Sequence, residues 1–418
     1  MASIINIKEL FTPNIGNNLA SKTKGDRVIW GIVVILTLVS LLVVYSSTGS
    51  LAYKYSKSTE SYLFKQFAFI VLGLLVIYFA HRVNYTIYAK VAKILFLISI
   101  PLMIYTFFFG AKINEGSRWI KLPIINMTMQ TSDLAKLALF MYLSLLLSRK
   151  QNVIKDFKKG FIPVITPVAI ICVLIAPANL STALLVGATS FLLMFIGRVS
   201  TKHILLSAGI AAIPVAFLLL LAVTTYNKQT HKADMPAIFD AGRIKTWVGR
   251  IQTFLYSGSN TDEQSDKVYQ INQAKIAVAN GGWLGRGPGN SEARNFLPHS
   301  YSDFIYAIII EEYGLFGAAF MVFIYLLFLF RCIRLYQKCP YAFGAFLALA
   351  LSFTLVIQAI ANMGVAVNLF PNTGVTLPLV SMGGSSFLFT CLSIGIILSV
   401  ARNVEQLEGD KSQAPSAP

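Results

Sequence analysis

The segment Asn295–Tyr306 has the sequence Asn-Phe-Leu-Pro-His-Ser-Tyr-Ser-Asp-Phe-Ile-Tyr and joins two parts of the chain that differ sharply in polarity. A mostly polar stretch of 78 residues (225–302) leads into it, and an apolar run (303–330) leads out of it. That run exceeds the roughly 20 residues that a helix needs to cross a membrane. Asp303 therefore stands where a long loop meets a membrane-spanning helix. Ionisable groups at membrane depth are costly and usually mark function, so Asp303 is the first candidate for a functional residue.

The composition of the whole chain indicates a membrane protein. Of its 418 residues, 56% are hydrophobic and only 13% are charged, and the mean hydropathy is +0.66. About 25% charged residues is usual for a globular domain. Ten apolar runs reach spanning length without alternating apolar and polar residues, which predicts helices rather than the strands of a barrel. The runs lie near 28–46, 63–80, 91–109, 133–148, 161–177, 180–197, 203–224, 303–330, 342–367 and 385–401.

The predicted fold is therefore an all-α polytopic membrane protein with about ten transmembrane helices and a large extracytoplasmic loop between helices 7 and 8. An even number of spans places both termini on one side. The segments on that side carry eighteen Lys and Arg residues, against five in the short loops opposite, so the positive-inside rule predicts cytoplasmic termini and an external large loop.

The predicted organisation has three regions. Residues 1–27 form a polar cytoplasmic tail that leads into a full span and is not a cleaved signal peptide. Residues 28–401 form the membrane domain, with the outer loop at about 225–302. Residues 402–418 form a cytoplasmic tail, and its composition from residue 405 onward predicts disorder.

The net charge of +17 does not indicate a nucleic-acid partner. Much of it follows from the inside bias of Lys and Arg and from attraction to anionic lipids, and no basic run carries a nucleic-acid motif. The four cysteines fall in predicted spans or cytoplasmic loops, so no disulfide is expected in the outer loop. No Cys or His spacing is typical of a zinc site.

A polar cluster opens the fourth span, in the string Gln130–Lys136 (Gln-Thr-Ser-Asp-Leu-Ala-Lys). Ser132 is a plausible N-cap, and Asp133 suits the positive end of the helix dipole. Asp133 and Lys136 lie three residues apart and can form an ion pair. The pair is either a neutralised structural element or a source of a cation for a diphosphate.

The eighth span carries Asp303 together with Glu311 and Glu312. At about 100° per helical residue, Asp303 and Glu311 point roughly 80° apart, whereas Glu312 points away from Asp303. Asp303 and Glu311 could thus share a cavity. For the two glutamates we favour structural pairing, with Lys136 as a candidate partner.

Three further segments suggest special backbone or surface roles. Residues 268–279 form an amphipathic helical pattern that could lie on the membrane surface. The glycine-rich string Gly281–Ser291 permits close approach of backbone to a ligand or a helix. The apolar but Pro- and Gly-rich segment Asn368–Ser386 predicts a broken or re-entrant helix. Loop cations suit phosphate, although a solvated loop explains each of them equally well; they are Arg243, Lys245, Arg250, Arg286 and Arg294.

Read together, these strings resemble the SEDS family (shape, elongation, division and sporulation), which comprises the FtsW, RodA and SpoVE types. The matching strings run in family order over about residues 28–401, and their combination is specific. Gly289–Ser291 and the divergent N-terminal tail are more similar to the division type FtsW than to the elongation type RodA. The matching strings are Ser117–Ile120, Gln130–Lys136, Arg250–Ile251, Tyr269–Gln270, Gly281–Ser291, Leu297–Pro298, Ser302–Phe304, Glu311–Gly314, Gln358, Asn362, Pro371–Gly374 and Leu377–Ser386.

The resemblance implies a peptidoglycan glycosyltransferase that polymerises lipid II, an undecaprenyl-diphosphate-linked disaccharide-peptide, during septal wall synthesis in cell division. It implies a class B penicillin-binding protein (FtsI-like) and divisome proteins as partners. The family's essential aspartate falls on Asp303, which we predict to be catalytic. The predicted substrate-binding residues are Lys136, Arg118, Gln130, Ser132, Arg250, Arg286, Gln358 and Ser385.

No motif specifies a metal site, although a divalent cation (Mg or Mn) would help to stabilise a leaving diphosphate. Three alternatives stay open at this point: a lipid II flippase, a RodA-type elongation polymerase, and a scaffold without activity. The chain also departs from the family pattern at three places. Thr131 and Asp133 replace a proline and a glutamate, Asn179 replaces an acid, and the string His299–Asp303 keeps only one carboxylate.

Overall fold

The computed structural model describes residues 25–49, 59–113, 116–122, 127–226, 243–256, 266–297 and 300–413. Its helices, in chain order, are α1 Arg27–Ser47, α2 Thr59–Arg82, α3 Tyr85–Phe109, α4 Thr131–Arg149, α5 Ile162–Ile175, α6 Leu180–Ile196, α7 Thr201–Thr224, α8 Arg243–Tyr256, α9 Asp266–Gly281, α10 Ile305–Lys338, α11 Ala342–Ala366 and α12 Gly384–Gln413. A π-helical turn, Phe157–Phe161, leads into α5.

Every predicted span is a helix in the structure. Within the described ranges, nine helices are long and apolar enough to cross a membrane, and α6 is a shorter apolar helix of 17 residues. The all-α membrane architecture is thus confirmed. Helix α12 continues to Gln413 and so runs into the stretch predicted to be a disordered tail. The predictions for residues 1–24 and 414–418 lie outside the described residues.

The centre of the bundle is formed by α4, α11 and α12, whose side chains are mostly buried. Helix α11 is rich in small residues, including Gly344, Ala345 and Ala348, which let neighbouring backbones approach closely. Helix α7 lies at the other extreme, because most of its apolar side chains, such as Leu205 and Ile213, are exposed. The exposed apolar faces suit contact with lipid tails. The central helices are shielded from lipid, so the polar groups of a site can lie on them.

A small antiparallel sheet is the feature that the sequence analysis missed. Its strands are β1 Ala111–Ile113, β2 Gly116–Leu122 and β3 Met127–Gln130, in the order β1-β2-β3. Trp119 pairs with both Ala111 and Gln130. The strands are too short for their alternation to stand out from the apolar runs beside them. The sheet matters because β3 ends directly where α4 begins.

Two helical elements are interrupted inside the protein. Helix α10 breaks at Gly314, which has φ 65° and ψ −163°. Residues 367–383, between α11 and α12, are not helical, yet Leu377, Leu379 and Val380 within them are buried. The predicted broken helix at 368–386 is confirmed. The break in α10 was not predicted.

The described part of the outer loop contains two helices. The predicted amphipathic helix is present as α9, but its buried residues Ile271, Ala274 and Ala277 belong to a helix that packs against α10 rather than lying on the membrane surface. Helix α8 was not predicted. Its Val248 packs with Leu218 and Ala222 of α7, which fixes α8 against the membrane bundle.

Candidate active site at the start of α10

Asp303 lies in the turn that immediately precedes α10, and two side chains, those of Asn362 and Ser381, hold this turn by donating to its carbonyl oxygens. The Nδ2 of Asn362 donates to the carbonyl oxygens of Asp303 at 2.9 Å and of Val375 at 2.7 Å. The Oγ of Ser381 donates to the carbonyl oxygen of Ser302 at 2.6 Å. The turn is therefore bound to α11 and to the interrupted segment 367–383, both of which belong to the rigid centre of the bundle.

The side chain of Asp303 faces that interrupted segment. Its Oδ2 lies 3.6 Å from the position that a Cβ of Gly374 would occupy. Gly374 itself has φ +64°, a left-handed conformation that glycine adopts without strain. Asp303 is half-buried, so its carboxylate borders protein on one side and remains reachable on the other.

The first turn of α12, which directly follows the interrupted segment, contacts the start of α4. The backbone N–H of Gln130 donates to Ser385 Oγ at 3.1 Å, and Gln130 Nε2 donates to Ser132 Oγ at 2.8 Å. The prediction of Ser132 as N-cap is wrong: α4 begins at Thr131 with Gln130 as its cap residue, because β3 delivers the chain directly to that position. Gln130, Ser132 and Ser385 thus form one hydrogen-bonded group.

Lys136 is paired as predicted, with its Nζ 2.8 Å from Asp133 Oδ1. The pair is largely buried, with side-chain exposures of 14% for Lys136 and 4% for Asp133. Asp133 Oδ2 is buried without a hydrogen-bond partner. Burial of a charge is tolerated only when it is paired, so Lys136 neutralises Asp133 inside the bundle.

A small polar cavity adjoins this pair. Lys136, Asp133 and Gln358 line it together with Ser386 and Thr390, and its volume of about 30 Å³ is enough for one or two water molecules. Gln358 donates through Nε2 to the carbonyl oxygen of Thr376 at 3.0 Å. The cavity therefore joins Lys136 to the same interrupted segment that borders Asp303.

The two glutamates of α10 have structural partners rather than Lys136, so their suggested pairing with Lys136 is wrong. Glu311 is fully buried and accepts from Ser291 Oγ and, at 3.3 Å, from the backbone N–H of Ala293. Glu312 accepts from the hydroxyl of Ser46 on α1. The glutamates fasten the outer loop and α1 to α10.

The glycine string interlocks with the break in α10, as its composition predicted. The N–H of Arg286 donates to the carbonyl oxygen of Glu311 at 2.9 Å, and the N–H of Leu315 donates to that of Gly282 at 3.0 Å. A Cβ on Gly285 would lie 2.2 Å from the Glu312 carbonyl oxygen. The backbone groups released by the break at Gly314 are thus satisfied by the loop.

The predicted arginines occupy separate elements. Arg286 pairs with Glu292 on the same loop at 2.8 Å. Arg250 is half-buried on α8. Arg118 belongs to β2, and its side chain lies outside the described part of the chain.

The geometry adds two residues that the sequence analysis named in motifs but did not assign to the site. Asn362 holds the turn of Asp303, and Gly374 leaves room beside its carboxylate. The available signal for Asn362 was an amide side chain inside a largely apolar helix, as for Gln358, because a buried amide needs hydrogen-bond partners within the protein. Asn179, where the family has an acid, acts as the N-cap of α6 and accepts from Thr182 N–H at 3.3 Å.

The described ranges contain no group of three or more His, Cys, Asp or Glu side chains that could hold a metal ion. The involvement of a divalent cation stays a prediction.

Comparison with known proteins agrees with the geometry. A family model for FtsW, RodA and SpoVE, described as "Cell cycle protein", matches residues 26–406. A protein of Geobacter metallireducens named "Probable peptidoglycan glycosyltransferase FtsW" is 30% identical over 396 residues, which is 94% of this chain and 98% of the relative. A protein of the same name from Geobacter sulfurreducens is 29% identical over 94% of this chain and 99% of the relative.

The fold also has a match among solved structures. One chain in a structure described as "Structural coordination of polymerization and crosslinking by a peptidoglycan synthase complex" superposes with a TM-score of 0.68 at 22% identity, covering 91% of this chain and 99% of that chain. This likeness shows a shared fold. Together with the family match over nearly the whole length, it means that the chain belongs to the FtsW/RodA/SpoVE family of cell cycle proteins.

Proposed function

We propose that this protein is a peptidoglycan glycosyltransferase that polymerises lipid II into glycan strands during septal wall synthesis. The observation that carries the proposal is the match, over more than 90% of both chains, to relatives that bear the name peptidoglycan glycosyltransferase FtsW. The site geometry supports it. The Asp303 carboxylate lies beside Gly374 of the interrupted segment, and Lys136 shares a cavity with Gln358, whose side chain donates to the carbonyl oxygen of Thr376 in that segment.

In the proposed reaction, Asp303 acts as the general base. Its carboxylate accepts the proton of the acceptor sugar's hydroxyl while that oxygen bonds to the donor's anomeric carbon, and the bond from that carbon to the diphosphate oxygen breaks. Base function requires an ionised carboxylate, and the half-exposed position of Asp303 is compatible with contact to water. Asn362 keeps the turn in place through its bond to the Asp303 carbonyl oxygen.

The leaving diphosphate requires positive charge and hydrogen-bond donors. Lys136 is the proposed cation, and Arg118, Arg250 and Arg286 are proposed to contact phosphate oxygens. Gln130, Ser132, Gln358 and Ser385 are proposed to supply neutral hydrogen bonds. Gln130 bonds to both serines, and Gln358 bonds to Thr376 of the interrupted segment.

The membrane setting follows from the charge distribution. The excess of Lys and Arg on the side of the termini supports cytoplasmic termini, so that Asp303 faces the outer leaflet. We further propose a class B penicillin-binding protein of the FtsI type as the partner, together with divisome proteins at the septum. The structural neighbour described as a peptidoglycan synthase complex supports such a partnership.

The decisive experiment measures the product formed by the purified full-length chain from lipid II, with and without a co-expressed class B penicillin-binding protein. Glycan polymer that disappears in Asp303→Asn supports the proposal. Lipid II that only crosses the bilayer, with no polymer, indicates a flippase. Normal wall growth by a cell carrying Asp303→Asn would indicate a scaffold, and rescue of a RodA-deficient but not an FtsW-deficient strain would indicate an elongation polymerase.

A further inference from the structure

A second polar cleft lies far from Asp303, at the other end of α10. With 34 residues, α10 extends over about 50 Å. Where it ends, it meets the beginning of α1 and the later part of α12, and these elements enclose a cleft of about 350 Å³. That volume falls within the roughly 300–1,000 Å³ of small-ligand sites.

Cations dominate the lining of this cleft. It contains four basic side chains, Arg27, Arg331, Arg334 and Lys338, and two carboxylates, Asp26 and Glu405. The cleft therefore carries a net positive charge, and a ligand that fits it is an anion.

The two carboxylates are already engaged within the protein. Asp26 Oδ2 accepts from Arg331 Nη2 at 2.6 Å, and its Oδ1 accepts from the N–H of Val28 at 2.8 Å. Glu405 Oε2 accepts from the N–H of Gly25 at 2.7 Å. Both carboxylates of the cleft therefore have partners within the protein, and only one arginine, Arg331, is used in pairing with them.

Arg27 and Arg334 are the two arginines of the cleft that these pairs do not engage. Neither forms a salt bridge to a carboxylate in the part of the chain that the structure describes. The guanidinium of Arg334 lies 5.1 Å above the ring of Phe330, a contact that orients it without neutralising it.

Helix electrostatics does not explain Arg27. Cations at the C-terminal end of α10 are favoured by the helix dipole, which accounts for Lys338 and Arg334. Arg27, however, is the first residue of α1, where the dipole is positive and a cation is disfavoured. Its charge adds to the positive end of α1. The adjacent carboxylate, Asp26, is bonded to Arg331 and to the N–H of Val28, so Arg27 can face an anion in the cleft.

The surroundings of the cleft indicate where such an anion comes from. Phe330 is 52% exposed and Val28 is 37% exposed, so the flanks of the cleft present apolar side chains to lipid tails. A basic cleft directly beyond a lipid-facing surface lies at the depth of the headgroups. We propose that this cleft binds the phosphate of an anionic phospholipid in the leaflet on the side of the termini, with Arg27 and Arg334 as its principal ligands.

The test uses the full-length protein, purified and stripped of lipid in detergent. Phosphatidylglycerol and phosphatidylcholine with identical acyl chains are titrated, and retained lipid is counted by native mass spectrometry alongside thermal unfolding. The variant is Arg27→Gln with Arg334→Gln. The matched control is Lys155→Gln with Lys202→Gln, because both lysines are exposed near the same end of the bundle and outside the cleft.

The expected result is preferential retention of phosphatidylglycerol, weakened about fivefold for each arginine removed and unchanged in the control. Unfolding without lipid should be the same in both variants. Equal weakening in the control would show diffuse attraction and overturn the site. Equal retention of the two lipids, with inorganic phosphate alone stabilising the protein through the two arginines, would overturn the lipid as the source and assign the cleft to a soluble phosphate.

Discussion

Asp303 differs in its role from Glu311 and Glu312, the two glutamates of α10. Glu311 and Glu312 are bound by hydroxyls and backbone amides, and their loss would damage the fold. The turn that carries Asp303 is instead held through backbone carbonyls, by Asn362 and Ser381. These two bonds do not use the Asp303 carboxylate, so they remain when that carboxylate is replaced by an amide.

Asp303→Asn should lower the rate of lipid II polymerisation by about 10²–10⁴-fold, because the amide cannot accept the proton. Thermal unfolding should be unchanged, since the isosteric side chain leaves the backbone contacts in place. Polymer yield and unfolding temperature are measured on the same preparation, with Glu60→Gln at an exposed site as the control. Near-normal polymer yield would remove Asp303 from the role of base.

Lys136 neutralises Asp133 and is also the proposed cation for the substrate's diphosphate. A single substitution of Lys136 therefore changes both stability and activity. Lys136→Met leaves a buried carboxylate uncompensated and should cost about 3–5 kcal/mol of stability. The double variant Asp133→Asn, Lys136→Met removes both charges and should recover stability but not polymerisation. Unfolding curves and polymer yield are the two readouts, and recovery of both would make Lys136 a purely structural residue.

The glycine string and the break in α10 form a single structural unit, in which each segment hydrogen-bonds the backbone of the other. Each supplies the backbone partners that the other lacks, and the contact is possible only because Gly281, Gly285 and Gly314 carry no Cβ. The interlock fixes the loop a short distance along the chain from Asp303.

Gly285→Ala should destabilise the loop by at least about 1–3 kcal/mol, because φ +79° is strained for alanine and the added Cβ would meet the Glu312 carbonyl oxygen. Gly209→Ala is the matched control: it lies in α7 with open space around it, and alanine favours a helix by about 1 kcal/mol. Limited proteolysis between 281 and 300 measures the loop directly. Equal protease resistance in both variants would contradict the interlock.

At the scale of the whole molecule, the bundle separates two ends of different chemistry. Loop helices, the interrupted segment and Asp303 lie at one end, and the basic cleft of α1, α10 and α12 lies at the other. Between these two ends, the surface of the bundle is apolar and suits contact with lipid.

A cysteine at Ala279, exposed on α9, should react with a membrane-impermeant thiol reagent added outside intact cells, whereas one at Lys155 should react only after permeabilisation. Burial raises the pKa of the native Cys339 thiol, so little reactive thiolate is present at neutral pH and the background from it stays low. Mass-shift labelling on gels gives the readout. The reverse pattern would invert the topology and move Asp303 to the cytoplasmic leaflet.

Local sequence patterns were enough to locate the membrane-spanning helices. Runs of about 20 apolar residues require helices in a membrane because each backbone group must be bonded within its own segment, and this placed all ten spans and the broken segment at 368–386. The spacing of Asp133 and Lys136 was enough for their ion pair, since i,i+3 neighbours share a helix face.

Only the tertiary structure decided which distant residues meet. The partners of Glu311, Glu312 and Asn362 lie on other elements, and no local periodicity encodes such pairings. The cap residue of α4 is Gln130 rather than Ser132, because β3 ends at Gln130 and the sequence did not predict the sheet to which β3 belongs. Buried polar groups take whatever partner the packing brings within hydrogen-bond distance, and that packing is a property of the whole bundle.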